Sequence, residues 1–203
     1  MSEFSSAVAT MQPLRQAAYE GNFPEVKRWC KVEGADVNEP GRKSGRTALH
    51  WGAFVASNKI VSYLLNAKGA EVNAPDAHLD TPLHLATQSP TQFLQQKLVV
   101  IETLLAHGAN PILPNKEGQT PLMNLICLRE NIPPSHYFQR KNIDAVIRRI
   151  KENIYQNTQQ PVAIYPNGQV VVDARAYNPP VPAVSSLYIP KPGPLATTAL
   201  RYR

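Results

Sequence analysis

The chain has 203 residues and 43% hydrophobic content, enough to bury one sizeable core or to build a short stacked array. Its two cysteines, Cys30 and Cys127, lie far apart without Cys-x-x-Cys spacing, which argues against a disulfide framework or a zinc site and fits a reducing compartment. The formal charge of +6 is uneven: residues 1–130 hold twelve basic and twelve acidic side chains, residues 131–203 nine against three, so an anionic partner is expected on the C-terminal part.

In chain order, residues 1–10 have no basic start and no continuous apolar run, and read as a flexible N-terminus rather than a secretory signal. No stretch approaches the ~18 uncharged apolar residues of a membrane span. Both features predict a cytoplasmic protein. From residue 11 the apolar positions fall into pairs of short helices. "PLRQAAYEGN", Pro13 to Asn22, precedes Val26, Trp29 and Cys30. "TALHWGA", from Thr47, precedes Ile60, Val61, Leu64 and Leu65. "TPLHLAT", from Thr81, precedes Val100, Ile101, Leu104 and Leu105. A blurred copy, "TPLMNLI" from Thr120, precedes a segment with Ile143, Val146, Ile147, Ile150 and Ile154 on one stripe.

Thr47, Thr81 and Thr120 are 34 and 39 positions apart, and "GADVN", "GAEVN" and "GANPI" keep the same phase at 34–38, 69–73 and 108–112. In the first pair Gln12 takes the threonine's place. A period of about 33 residues signals a stacked helical repeat. Threonine is a good N-cap, and Pro82 and Pro121 follow it where a missing N–H costs nothing. Gly34, Gly69 and Gly108 suit left-handed C-caps. Leu49, Ala53, Leu83 and Ala86 share one face of the first helices. "VNEPGRKSG", "VNAPDAHLD" and "ILPNKEGQ" read as protruding turns. A single unit cannot bury its apolar face alone, so the repetition is a packing device.

These motifs closely resemble the ankyrin repeat, whose Thr-Pro-Leu-His-x-Ala signature is nearly verbatim at Thr81–Ala86 and close at Thr47–Gly52. The resemblance implies an all-α solenoid of about four helix-turn-helix repeats (12–40, 47–75, 81–113 and a divergent capping repeat 120–157) within a domain spanning 11–157. It also implies that His50 and His84 are structural, hydrogen-bonded to nearby backbone, and not a metal or catalytic pair.

Three departures stand out. About six extra residues, "SPTQFLQQ", separate the helices of the third unit, as either a longer second helix or a side loop. Met123 takes the histidine position in the fourth unit, and Pro133-Pro134 interrupts the path to its second helix. That last helix carries Arg140, Lys141, Arg148, Arg149 and Lys151, as a solvated polar face of a cap or as an anion-binding face. Residues 158–203 hold eight of the chain's 19 prolines and read as a partly disordered extension. Within it, "VAIYPNGQVVVD" has the pattern of a hairpin about Pro166-Asn167-Gly168, and Pro179-x-x-Pro182 matches a proline-recognition spacing.

No catalytic pattern stands out. "GRKSGRT" lacks the spacing of a phosphate loop, and no Gly-x-Ser-x-Gly or His-Glu-x-x-His occurs. Cys127 has no base near it in sequence and is expected to be a buried free thiol. No catalytic residue, cofactor, metal site or small-molecule substrate is assigned, and the chain is expected to be a monomer.

What the resemblance implies is binding, through a concave surface made by the turn tips and the open side of the first helices. That surface maps to Tyr19 and Glu20, Phe54 and Val55, Gln88 and Ser89, and Cys127 and Leu128. From the turns come Lys43, Ser44 and Arg46, then Ala77, His78 and Asp80, then Lys116, Glu117 and Gln119. Tyr19 and Phe54 are the leading anchors. Trp51 either joins them or packs between adjacent first helices. Arg42, Lys43 and Arg46 make the first turn basic and favour an acidic partner. The expected function is a non-enzymatic protein-binding module, adaptor or inhibitor. Two alternatives are a binder of nucleic acid or acidic membrane through the C-terminal basic part, and an effector delivered by an intracellular bacterium into a host cytosol.

Overall fold

The structure is a computed structural model, and it describes residues 13–31, 35–90, 94–158, 163–164 and 170–171. Among these, eight helices form four antiparallel pairs: α1 (Pro13–Tyr19) and α2 (Phe23–Lys31), α3 (Ala48–Phe54) and α4 (Asn58–Lys68), α5 (Pro82–Gln88) and α6 (Leu94–Ala106), α7 (Pro121–Asn131) and α8 (Tyr137–Thr158). First helices pack on first helices along one row, and second helices on second helices along another. The all-α repeat solenoid is therefore what the chain adopts. No described helix is long and apolar enough to cross a membrane.

The core lies between the rows, as the periodicity requires. Leu49, Ala53, Leu83, Ala86, Leu122 and Leu125 of the first helices are inaccessible, as are Ile60, Val61, Leu64, Val100, Ile101 and Leu104 of the second. Gly52 takes the place of the signature alanine because α3 and α4 approach too closely for a side chain: a Cβ there would sit 2.9 Å from Ile60 Cγ2. Gly69 closes α4 in the left-handed conformation, and its N–H donates to Leu64 O. Gly108 also has positive φ, whereas Gly34, Gln12 and residues 1–10 lie outside the described residues.

The histidines join neighbouring units. In α3, the Thr47 backbone N–H donates to His50 Nδ1 at 3.1 Å. That fixes the ring's proton on Nε2, which donates to Asp80 O in the next unit at 3.0 Å. His84 repeats the arrangement with Thr81 N–H at 3.0 Å and Gln119 O at 3.1 Å. Burial holds His50 down to about pKa 4, against a partial opposing effect of its bond to Asp80 O, and lowers His84 for the same reason. Thr81 and Thr120 accept from the N–H three residues on, at 3.5 and 3.2 Å. Thr47 caps α3 through a capping box with His50, and its hydroxyl also lies 2.9 Å from His50 Nδ1.

A second set of bridges went unassigned in the sequence. Asn38 donates to Gly69 O and accepts from Glu71 N–H, and Asn73 does the same with Gly108 O and Asn110 N–H. Each amide thus satisfies two backbone groups of the following unit. The third copy of this position is Ile112, and the third copy of the histidine is Met123. Among the described residues no further finger follows α7, which runs through Ile132–His136 into the 22-residue α8. The departures at Ile112 in unit three and Met123 in unit four thus fall at the end of the helix array.

The inserted residues of unit three mostly lengthen its second helix. The connection between helices grows from three residues in unit two to five, and α6 has 13 residues against 11 in α4. Leu94, Lys97 and Leu98 in the added turn point inward and are buried; residues 91–93 lie outside the described set. Beyond α8, Ala163–Ile164 pairs antiparallel with Val170–Val171 in the register Ala163↔Val171, Ile164↔Val170, as expected of a hairpin. Its turn at 166–168, the Pro179-x-x-Pro182 segment and the rest of 172–203 lie outside the described residues.

Candidate functional site

Three turns, here called fingers, project beside the first helices: residues 39–46, 74–80 and 113–119. In the second, Asp76 N–H donates to Asp80 O at 2.8 Å, and in the third Asn115 N–H donates to Gln119 O at 2.9 Å. Asp76 Oδ1 and Asn115 Oδ1 each accept two further backbone N–H groups of their own finger. Successive fingers are also tied by backbone: Ala77 N–H donates to Ser44 O and Lys116 N–H to His78 O. A Cβ on Gly45, at φ +69, would lie 2.8 Å from Ala77 N, so this crossing of fingers needs glycine. The result is a stiff comb whose outward side chains have a set spacing.

Side chains reinforce the comb along a diagonal. Arg46 Nε donates to Asp76 Oδ2 at 3.0 Å, and the Asp76 carboxylate is wholly buried. One unit on, Asn115 Nδ2 donates to Asp80 Oδ1 at 2.9 Å. Asp80 is 6% exposed. It was expected to face a partner; instead it is spent on the next finger, because a carboxylate this buried needs a donor. Lys43, His78, Lys116, Glu117 and Gln119 stand exposed at the finger tips, with Arg42 and Ala77.

On the first helices, Tyr19, Trp51, Phe54 and Val55 are half-buried, and Glu20 and Gln88 are exposed. Their rings form a row: Tyr19 meets Trp51 edge-on at 5.1 Å between centroids, and Trp51 meets Phe54 at 6.2 Å. The Arg46 guanidinium lies over the Trp51 ring, 5.1 Å from its centroid. Trp51 therefore both packs between adjacent first helices and keeps a partly open edge. Units three and four differ. Ser89 is buried, not part of the open surface, and Cys127 is exposed, not buried, since the eleven-residue α7 carries it out past the contact with α5. Arg15, at the histidine position of unit one, is buried and donates to Glu39 O at 3.1 Å, which a strict register from Gln12 would have indicated.

Unit three also hides a cation that no sequence pattern marked. Lys97 is 1% exposed, and its Nζ donates to Thr87 O at the end of α5 at 3.1 Å. Burial lowers its pKa to about 8. On α8, Arg149 pairs with Glu102 at 2.6 Å and Arg140 with Glu130 at 3.9 Å, while Lys141, Arg148 and Lys151 are exposed. Among the described residues, no group of three or more His, Cys, Asp or Glu is placed to hold a metal.

A family model of ankyrin repeats (three copies) matches residues 14–115, half of the chain. The chain belongs to the ankyrin repeat family. Ankyrin repeats are in general non-enzymatic protein-interaction modules. An ankyrin repeat protein of fowlpox virus (strain NVSL) is 33% identical over 122 residues, covering 48% of this chain and 85% of the viral protein. The RelA-associated inhibitor of Mus musculus is 36% identical over 115 residues, covering 52% of this chain but 13% of that protein. The NF-kappa-B inhibitor zeta of Homo sapiens is 34% identical over 96 residues, covering 46% of the chain and again 13% of the relative. The likeness to the two mammalian proteins is thus confined to a small part of each.

Proposed function

We propose that this ankyrin protein is a non-enzymatic adaptor or occluding inhibitor that binds a partner protein through its concave face, centred on units one and two. The observation that carries this reading is the row Tyr19–Trp51–Phe54: three aromatic rings left half-open beside a rigid comb of finger tips. Buried aromatic and arginine anchors dominate interface energetics, and a pre-formed surface loses little entropy on binding. An inhibitory rather than a scaffolding role is favoured by the two relatives named as inhibitors, over the segment that they share with this chain. The reading places the protein in the cytoplasm. The bacterial-effector alternative gains nothing from the three relatives described above, which are viral and mammalian.

The test is affinity capture with full-length protein and Phe54→Asp in parallel, each checked for a cooperative unfolding transition well above the assay temperature. A protein captured by the wild type and lost with Phe54→Asp supports the concave face. Capture indifferent to Phe54→Asp and Tyr19→Ala, but abolished by Lys141→Glu/Arg148→Glu/Lys151→Glu, would transfer the function to the basic face of α8.

A further inference from the structure

The three basic residues of the first finger are not equivalent. Arg42 and Lys43 are exposed, with ordinary solvated side chains. Arg46 is held. Its Nε is bonded to the fully buried Asp76 carboxylate, and its guanidinium plane rests on Trp51. Among the described residues only Nε is engaged, which leaves the two terminal nitrogens for another acceptor. Asp76 cannot turn to follow them, because its other oxygen accepts from His78 and Asp80 N–H. A guanidinium fixed in this way has already lost the rotamer freedom that an arginine gives up on binding. Its planar fork suits a carboxylate better than any neutral acceptor.

Resting on the concave-face reading, we propose that the first finger and the aromatic row together recognise an extended acidic segment, with a carboxylate on Arg46 and an apolar side chain against Phe54. The spacing follows from the geometry. Steps of 5.1 Å and 6.2 Å, from guanidinium to Trp51 and from Trp51 to Phe54, place Phe54 within about 11 Å of the Arg46 guanidinium. An extended chain advances about 3.3 Å per residue, so the acid and the apolar anchor stand no more than about three residues apart. Arg42 and Lys43 extend the positive field outward and draw further acidic residues on the flank away from the anchor. The second and third fingers add no net positive charge, since the second carries Asp76 and Asp80 and Lys116 of the third is offset by Glu117. The acidic demand is thus local to one end of the segment.

The probes are 12-residue peptides with one phenylalanine and a Glu-Glu pair three residues away, and matched peptides with Gln-Gln, with Lys-Lys, or with the glutamates six residues away. Binding to the full chain is followed by two NMR signals, the Trp51 indole N–H and the Arg46 Nε–H. The inference predicts that the Glu peptide shifts both signals and binds at least tenfold more tightly than the Gln peptide, with the six-residue spacing weaker. Arg42→Glu/Lys43→Glu, two exposed changes that leave the Arg46–Asp76 pair intact, should cut that affinity at least tenfold. Arg46→Lys keeps the charge and should still lose the preference for three-residue spacing. Equal shifts by the Glu and Gln peptides would overturn the acidic-segment inference and leave the concave face standing. Peptides that move neither signal would overturn the inference, and partner capture with Phe54→Asp then decides the concave face separately.

Discussion

The two histidine-bridged joints of the solenoid and its aromatic row lie side by side on the same helices but are built on opposite terms. At the joints every polar group is spoken for: His50 and His84 each close on a threonine N–H behind and a finger carbonyl ahead. In the row, Tyr19, Trp51 and Phe54 touch one another and keep open edges. The contrast separates the residues that hold the comb in place from those that it presents. Substitutions at the joints should therefore cost stability, and substitutions in the row should cost binding.

Acid should break the joints first. Because burial keeps His50 neutral down to about pH 4 while the unfolded chain protonates near 6.5, its contribution is fully present above pH 6.5 and is lost as the pH falls toward 4. The expected loss is on the order of 3 kcal/mol from this group alone. Urea unfolding at pH 7, 5.5 and 4.5 checks it, and His50→Gln should flatten the dependence.

Removing a ring should do slightly less damage. His84→Ala leaves the buried Thr81 N–H without its partner and removes one of the two donors to Gln119 O, at a cost of about 2 kcal/mol by urea unfolding at pH 7. The row should respond in the opposite sense. Phe54→Asp should lower stability by no more than about 1–2 kcal/mol, given its half-open position, and reduce partner capture at least about tenfold.

Two smaller effects sharpen the comparison. Lys97 sits in the fold as a buried cation bonded to Thr87 O, with a pKa lowered by burial to about 8 from 10.5. A group depressed in this way favours the folded state as it deprotonates, so the wild type should gain stability relative to Lys97→Met between about pH 8 and 10. Chemical unfolding of both proteins across that range measures the gain. Smallest of all, Arg149→Ala removes an exposed ion pair to Glu102 and should change stability by less than about 1 kcal/mol in the same assay.

Much of the scaffold was legible because it repeats. The threonines, histidines and paired Val/Ile/Leu positions recur in phase, and each recurrence reports the same packing constraint. What stayed hidden is what occurs once, or what depends on the next unit. Asn38 and Asn73 stood inside the recognised "GADVN" and "GAEVN", yet their partners lie more than thirty residues on, and only the stacked backbone brings them into reach. Asp80 looked like a finger-tip charge, but the adjacent finger supplies Asn115 and buries it. Lys97 entered the interior through an added first turn of α6 that α4 lacks, so no signal carried over from the earlier units predicted it. The aromatic row was named in part: Tyr19, Trp51 and Phe54 were all candidates, whereas the seating of Arg46 on Trp51 required the finger's conformation.

The measurement that bears most directly on the separation of joint from surface is backbone and indole NMR of the isotopically labelled chain, with and without the captured partner. The expected result is that signals of Tyr19, Trp51, Phe54 and the first finger shift or broaden, while the ring signals of His50 and His84 stay in place. Perturbations confined to Lys141, Arg148 and Lys151 on α8, with the aromatic row unmoved, would contradict it.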